Sequence, residues 1–187
     1  MRYYFDNYPN HPFAFMSEVF SSEEIEEIKT NCKDLHEGES YSNNQDLRKS
    51  FIQWIYRAEQ TNWIYERIYS AVNSLNENYF KFDIDSLEDI QFTEYDESYE
   101  GAFGRHTDDD FIENITRKLS FSIQMSDPTD YEGGELQIYR FGSEGILAPK
   151  EKGTLILFPS FTIHEVTPVI KGHRKSLVGW CHGPRWK

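Results

Sequence analysis

The chain has 187 residues, a length that predicts one sizeable hydrophobic core and a single domain spanning 1–187. Its 19 basic and 32 acidic residues give a net charge of −13, which argues against nucleic acid or an anionic membrane as a partner. With 38% hydrophobic and 16% aromatic residues it is not a disordered chain, and the acidic excess predicts either a solvated surface or attraction for a basic protein.

The N-terminal segment, MRYYFDNYPNHPFAFM, has no continuous apolar core of the kind found in a signal peptide. No window of the sequence approaches the roughly eighteen apolar residues of a membrane span. The two cysteines, Cys32 and Cys181, lie far apart and without a Cys-x-x-Cys spacing, so neither a disulfide framework nor a zinc knuckle is indicated. These features together favour a cytoplasmic location.

Two helices are predicted in the first half of the chain, over about 22–35 and over Glu59–Leu75. The first begins with a capping-box pattern, Ser21 to Glu24, and continues with apolar residues at helical spacing: Ile25, Ile28, Cys32 and Leu35. The second has one apolar face, formed by Trp63, Ile64, Ile68, Ala71, Val72 and Leu75. Between the helices, 36–50 is polar and rich in turn formers, which predicts a loop and a candidate mobile lid.

From Ile90 onward the chain changes to short runs rich in β-formers, separated by Gly, Pro and Asp. These runs are QFTEY, KLSFSIQMS, GELQIYR, GTLILFP and KSLVGWC. Because no helical period intervenes, they favour an antiparallel barrel or jelly roll over a parallel sheet. We therefore expect one α+β domain, with helical support over about 1–85 and an antiparallel β core over about 88–183.

A candidate metal site begins with His106 and Asp108, since residues two apart in an extended backbone point to the same side. His164 follows the predicted strand GTLILFP and can face inward across the barrel. Two histidines and one carboxylate form the facial triad of non-haem Fe(II) oxygenases, which leaves coordination positions open for further ligands. The histidines without partners at ligand spacing are expected to have ordinary polar roles: His11, His36, His173 and His182.

Arg174 follows His164 by ten positions and is suited to bind the far carboxylate of a bidentate 2-oxo acid, because its guanidinium has fork geometry. Between the two residues, Pro168 and Gly172 predict a turn that returns the chain as a strand beside the one bearing His164. Ser176 lies two positions further on and is expected to share the inward face of Arg174.

The order of these motifs resembles the iron- and 2-oxoglutarate-dependent hydroxylases of the prolyl 4-hydroxylase superfamily, particularly the bacterial PKHD-type hydroxylases. The similarity covers 91–183 through QFTEY, RHTD, RKLSFSIQMSDPTDYEGGEL, GTLILFPSFTIHEVTPV and GHRKSLVGW. It implies a double-stranded β-helix core buttressed by the N-terminal helices. It also implies oxidative decarboxylation of 2-oxoglutarate to succinate and CO₂, with insertion of oxygen into a substrate C–H bond.

The resemblance also assigns roles to individual residues. It implies that His106, Asp108 and His164 bind Fe(II) and that Arg174 holds 2-oxoglutarate. It further implies a cosubstrate pocket that includes Tyr95, Ser176, Trp180 and Gln124. At position 124 some relatives have a tyrosine that touches the distal carboxylate, so the glutamine departs from their pattern.

Three functions remain open at the level of the sequence. The first is hydroxylation of a prolyl residue in a peptide or protein, with Fe(II), 2-oxoglutarate, O₂ and supporting ascorbate. The second is hydroxylation of a free amino acid or other small molecule, which predicts a narrower mouth closed by the 36–50 loop. The third is a non-catalytic metal-binding barrel, since a fold can persist after activity is lost. Arg174 argues against the third, and the oligomeric state is left open.

Overall fold

The computed structural model describes residues 11–38, 47–109, 111–112, 115–140 and 144–186. Within these ranges the helices are α1 (Ser22–Asn31), α2 (Asn62–Leu75), extended by a π-helical turn at Asn76–Phe80, and a short 3-10 helix at Glu97–Tyr99. The strands are β1 (Ala14–Met16), β2 (His36–Glu37), β3 (Arg48–Lys49), β4 (Phe51–Ile55), β5 (Ser86–Leu87), β6 (Ile90–Asp96), β7 (Ala102–His106), β8 (Phe111–Ile112), β9 (Ile115–Gln124), β10 (Tyr131–Gly133), β11 (Leu136–Ile138), β12 (Ile146–Leu147), β13 (Leu155–Pro159), β14 (His164–Val166) and β15 (Val169–Pro184).

Both predicted helices are present with shifted ends. The capping box at the start of α1 is formed, because Ser21 accepts from the Glu24 backbone N–H and the Glu24 side chain accepts from Ser21 N–H. The helix ends at Asn31, because the backbone angles of Cys32 (φ −105°, ψ 77°) are no longer those of a helix. Helix α2 begins at Asn62 and buries the predicted apolar face.

In the described ranges, ten strands form a major sheet with the order β1-β13-β9-β15-β6-β4-β2 and with β5, β8 and β10 paired alongside. One face of this sheet packs against α1 and α2. Side chains from the helices, such as Ile25 and Ile68, are fully buried there against Leu119, Leu157 and Leu177 of the sheet. This burial places the helices on the outside of the barrel and leaves the other sheet face for the interior.

Five strands in the described ranges form a minor sheet, with the order β12-β11-β14-β7-β3. Its inward side chains, including Leu136 and Val166, form a second apolar cluster with Tyr95, Ile156 and Phe158 of the major sheet. The pairings are antiparallel. The predicted double-stranded β-helix with helical buttresses is therefore confirmed. Among the helices in these ranges, none has the length and apolar character to cross a bilayer.

The predicted loop at 36–50 is wrong at both ends, where β2 and β3 pair with β4 and β7. The lid predicted there falls largely on 39–46, which lies outside the described residues. The sequence prediction also omitted strand β4, which pairs with β6 over its whole length.

The predicted turn between His164 and Arg174 is also wrong. Strand β14 pairs with β7 and β11 in the minor sheet, whereas β15 pairs with β6, β9 and β10 in the major sheet. The chain crosses between the sheets around Pro168, which has no N–H with which to extend a ladder. Gly172 lies inside β15 at a positive φ of 76°, and a Cβ there would meet the Asp130 carbonyl oxygen at 2.0 Å.

Candidate active site

Two strands of the minor sheet bring the predicted triad together. His106, the last residue of β7, lies directly opposite His164, the first residue of β14. Asp108 follows β7, and its backbone N–H donates to the Ser160 carbonyl at 2.8 Å. The His106 and His164 Nε2 atoms lie 3.6 and 3.4 Å from the two Asp108 carboxylate oxygens. The three donor atoms lie within 4.8 Å of one another, so they can hold one metal ion.

Both imidazoles present the same nitrogen to the triad. His106 Nδ1 lies 2.7 Å from the Gly104 carbonyl, and His164 Nδ1 lies 3.0 Å from the Thr162 carbonyl. A carbonyl oxygen only accepts hydrogen bonds, so in the neutral form of each ring Nδ1 carries the proton and Nε2 offers its lone pair. In each case the carbonyl belongs to the residue two positions earlier. This orientation fits metal ligation, because the backbone fixes the ring and its tautomer.

The protonation states also suit a metal. Burial and the neighbouring His164 lower the pKa of His106 to about 4. Burial alone would raise the pKa of Asp108, but His164, His106 and hydrogen bonding with Ser120 and Trp180 lower it below its ordinary value. At neutral pH the His106 imidazole is therefore neutral and Asp108 is ionised, which are the forms that bind a cation.

Aromatic side chains pack against the ligand rings. Phe103 stacks on His106 with ring centroids 3.6 Å apart and an interplanar angle of 13°. Phe158 lies against His164 at 4.6 Å. These rings cover the imidazoles on one side and restrict their rotation, which holds the Nε2 atoms in place.

Arg174 is 1% exposed and lies on the inner face of β15. Its Nη1 donates to Ser176 Oγ at 3.4 Å and its Nη2 donates to Gln124 Oε1 at 3.3 Å. Its Nε has no hydrogen-bond partner, and within the described part of the chain no carboxylate pairs with this guanidinium. A buried cation held only by neutral groups is suited to an anionic ligand, because an unpaired buried charge is otherwise costly.

One cavity connects the triad to Arg174. Of the residues predicted to bind the cosubstrate, Tyr95, Ser176 and Trp180 line it together with Arg174. Gln124 contacts Arg174 instead and is not among the lining residues. The cavity is therefore lined both by metal-binding atoms and by a buried cation, which suits a ligand with two acidic groups.

The lining residues missed from the sequence include Arg48 and Gln91. Arg48 Nε donates to Ser50 Oγ at 2.7 Å, and its Nη2 donates to Gln91 Oε1 at 2.6 Å. Its guanidinium also lies 4.8 Å from the centroid of Phe103. Gln91 was detectable, because the alternation in QFTEY places it on the same face as Tyr95. Arg48 gave no such signal, since it stands in a polar run without periodicity.

A network outside the cavity supports Trp180. Arg117 lies 4.0 Å from the Trp180 ring centroid and donates to both carboxylate oxygens of Glu88, at 2.6 and 2.8 Å. His182 contacts the same carboxylate. This contact is a polar role of the kind expected for His182, and the network packs against Trp180, which lines the cavity.

A second group of possible metal ligands, Glu94, Asp96 and His173, lies where β6 pairs with β15. Its charges are already paired. Lys175 Nζ lies 2.8 Å from Glu94 Oε2, and His173 contacts Asp96. The Asp108 carboxylate of the triad instead contacts the two imidazoles and forms hydrogen bonds with Ser120 and Trp180.

Sequence comparison relates the chain to known hydroxylases. The family model described as the 2OG-Fe(II) oxygenase superfamily matches residues 90–182. A PKHD-type hydroxylase of Acaryochloris marina is 31% identical over 171 residues, covering 88% of this chain and 75% of that protein. A PKHD-type hydroxylase of Parvibaculum lavamentivorans is 44% identical over 79 residues, which are 42% of this chain. That match spans only 36% of the relative's length.

Two solved structures share the fold. A Pseudomonas putida prolyl-4-hydroxylase superposes with a TM-score of 0.73 at 19% identity, covering 95% of both chains. A Trichoplax adhaerens prolyl hydroxylase, solved in complex with a hypoxia inducible factor peptide fragment, also gives 0.73 at 18% identity. It covers 92% of this chain and 84% of its own. At these identities the likeness establishes the architecture.

Proposed function

Because the chain belongs to the 2OG-Fe(II) oxygenase superfamily and has PKHD-type hydroxylases among its relatives, we propose that it is an Fe(II)- and 2-oxoglutarate-dependent hydroxylase. The reaction consumes 2-oxoglutarate, O₂ and a substrate C–H bond. It releases succinate and CO₂ and leaves a hydroxyl group on the substrate. We propose a cytoplasmic location for this activity.

The observation that carries the proposal is the buried, unneutralised guanidinium of Arg174 in the cavity that also contains the triad. A metal-binding barrel alone has no need for a buried cation. 2-Oxoglutarate has a chelating 2-oxo acid at one end and a carboxylate at the other, so it uses both features. A guanidinium binds a carboxylate bidentately, which gives orientation as well as affinity.

The residues of the cavity would have separate roles in the reaction. His106, Asp108 and His164 would hold Fe(II) on one face and leave the other coordination positions to ligands. Arg174 would bind and orient the distal carboxylate, and Trp180 would help to exclude water from the cavity. When bound, iron and 2-oxoglutarate supply the oxidising chemistry, in which one atom of O₂ enters succinate and the other enters the substrate.

We propose a prolyl residue of a peptide or protein as the substrate. Two structural neighbours are prolyl hydroxylases, and one of them was solved with a peptide fragment. The net charge of −13 adds electrostatic attraction for a basic polypeptide.

A free amino acid or another small acid is the second candidate, and Arg48 favours it. This arginine gives the cavity a second cation, which would bind a substrate carboxylate. If the substrate is a small acid, Arg48→Gln will raise its KM and leave the KM for 2-oxoglutarate unchanged. If the substrate is an internal prolyl residue, Arg48→Gln will change the KM equally for a peptide with a free C-terminus and for the same peptide with an amidated C-terminus.

The test uses the full chain with Fe(II), 2-oxoglutarate, ascorbate and O₂. Succinate formation is measured with and without proline-containing peptides, and mass spectrometry detects the gain of one oxygen atom. Succinate that depends on Fe(II) supports an oxygenase, and an oxidised peptide supports the prolyl assignment. If no succinate forms with peptides, proteins or free amino acids, the chain is a non-catalytic metal-binding barrel and the proposal is wrong.

A further inference from the structure

Arg174 contacts Gln124, whose carboxamide is oriented by a second hydrogen bond to a backbone carbonyl. Gln124 Nε2 donates to the Pro149 carbonyl at 2.9 Å, which leaves Gln124 Oε1 to accept from Arg174 Nη2. The Gln124 backbone N–H is also engaged, donating to the Thr154 carbonyl at 3.0 Å. Rotating the carboxamide by half a turn would place two donors against a cation, so only the observed orientation is stable.

The remaining neighbours of the guanidinium are also neutral. Ser176 accepts from Nη1, and its side chain is fully buried. Tyr131 is 4% exposed and lies close enough to Arg174 to interact with it. Burial raises the pKa of its hydroxyl against the lowering effect of Arg174, so the phenol is neutral at neutral pH.

We propose that Gln124 is a positioning residue that holds Arg174 without neutralising it, so that the full positive charge is available to the distal carboxylate of 2-oxoglutarate. The inference rests on the proposed function, because it concerns the same carboxylate. It follows from the contacts: Gln124 touches the arginine and not the cavity. A carboxylate at position 124 would pair with the guanidinium and compete with the ligand for it.

Two nearly isosteric substitutions separate charge from packing. Gln124→Glu keeps the shape and adds a negative charge, whereas Gln124→Met keeps most of the volume and removes the hydrogen bond. Binding of 2-oxoglutarate to the full chain loaded with Mn(II) is measured by titration calorimetry without O₂. We expect Gln124→Glu to weaken binding about tenfold or more, and Gln124→Met to weaken it by a smaller factor. The affinity for Mn(II) alone should not change, because the triad lies apart from position 124.

A second ligand gives a readout that a purely structural role would not move. 2-Oxobutyrate has the chelating 2-oxo acid but no distal carboxylate, so Gln124→Glu and wild type loaded with Mn(II) should bind it with similar affinity. Equal weakening of 2-oxoglutarate binding by both variants, or an equal loss of affinity for both ligands in Gln124→Glu, would overturn the inference. If Gln124→Glu does not fold, Ser176→Asp and Ser176→Asn provide the same comparison from the other side of the guanidinium. A wild-type chain that binds Mn(II) but no 2-oxoglutarate would instead overturn the proposed function.

Discussion

Replacing Arg174 by Met tests the cosubstrate site most directly. The substitution keeps an apolar stem of similar length and removes the guanidinium, which is 1% exposed and pairs with no carboxylate in the described ranges. A bidentate contact comprises two charge-assisted hydrogen bonds of about 1.5–3 kcal/mol each. Their loss costs about 3–6 kcal/mol, and at about 1.4 kcal/mol per tenfold change the KM for 2-oxoglutarate should rise about 10²- to 10⁴-fold.

The assay is steady-state succinate formation at varied 2-oxoglutarate, with the Fe(II) or Mn(II) affinity measured in parallel. Arg174→Lys is the matched variant, because it keeps the positive charge and loses the bidentate geometry of the guanidinium. Its KM for 2-oxoglutarate should therefore lie between those of wild type and Arg174→Met. Metal affinity should remain at the wild-type value in both. A KM for Arg174→Met within about threefold of wild type would refute the assignment, since it would correspond to less than about 1 kcal/mol.

Three further outcomes are expected. Asp108→Ala should abolish Fe(II)-dependent succinate formation and weaken Mn(II) binding in calorimetry, because two imidazoles alone remain; full activity would exclude this residue as a ligand. Ile68→Ala, at a fully buried position of α2, should lower the free energy of unfolding in urea by about 2–5 kcal/mol, whereas Glu27→Ala on the exposed side of α1 should change it little. The pKa of Glu88 is held below its ordinary 4.5 because hydrogen bonds with His182 and Arg117 outweigh burial. Its ionised form therefore contributes stability that is lost as pH falls below about 4.5, and Glu88→Gln should flatten the acid limb of stability against pH.

Hydrophobic periodicity predicted burial more reliably than it predicted helix ends. The helical spacing of α1 extends to Leu35, and Leu35 does pack against the core. The helix nevertheless ends at Asn31, and Leu35 reaches the core from an irregular segment. A periodic pattern reports which side chains face the interior, and the backbone between them can leave the helix without changing that.

Arg48 shows what local sequence does not contain. Strand β3 has two residues and is paired with β7 through Arg48 opposite Phe103 and Lys49 opposite Ala102. The pairing joins residues more than fifty positions apart, and the polar sequence around Arg48 has no period-2 pattern of its own. By contrast, Gln91 and Tyr95 lie in a strand whose alternation is visible, so their shared face follows from the sequence. The cosubstrate role of Tyr95 stays a prediction.

The ten-residue interval from His164 to Arg174 has a different cause from the hairpin that it first indicated. The two residues lie in different sheets, and each must face the interior for the cavity to contain both. Within β15 the inward face repeats every second residue, through Arg174, Ser176, Val178 and Trp180. A one-residue deletion in the crossover around Pro168 would shift β15 against its partners or turn this whole face outward. The ten-residue interval is therefore the length of chain that crosses from the minor sheet to the major sheet. It fixes the inward orientation of Arg174 and of Trp180 together, because both residues lie on β15.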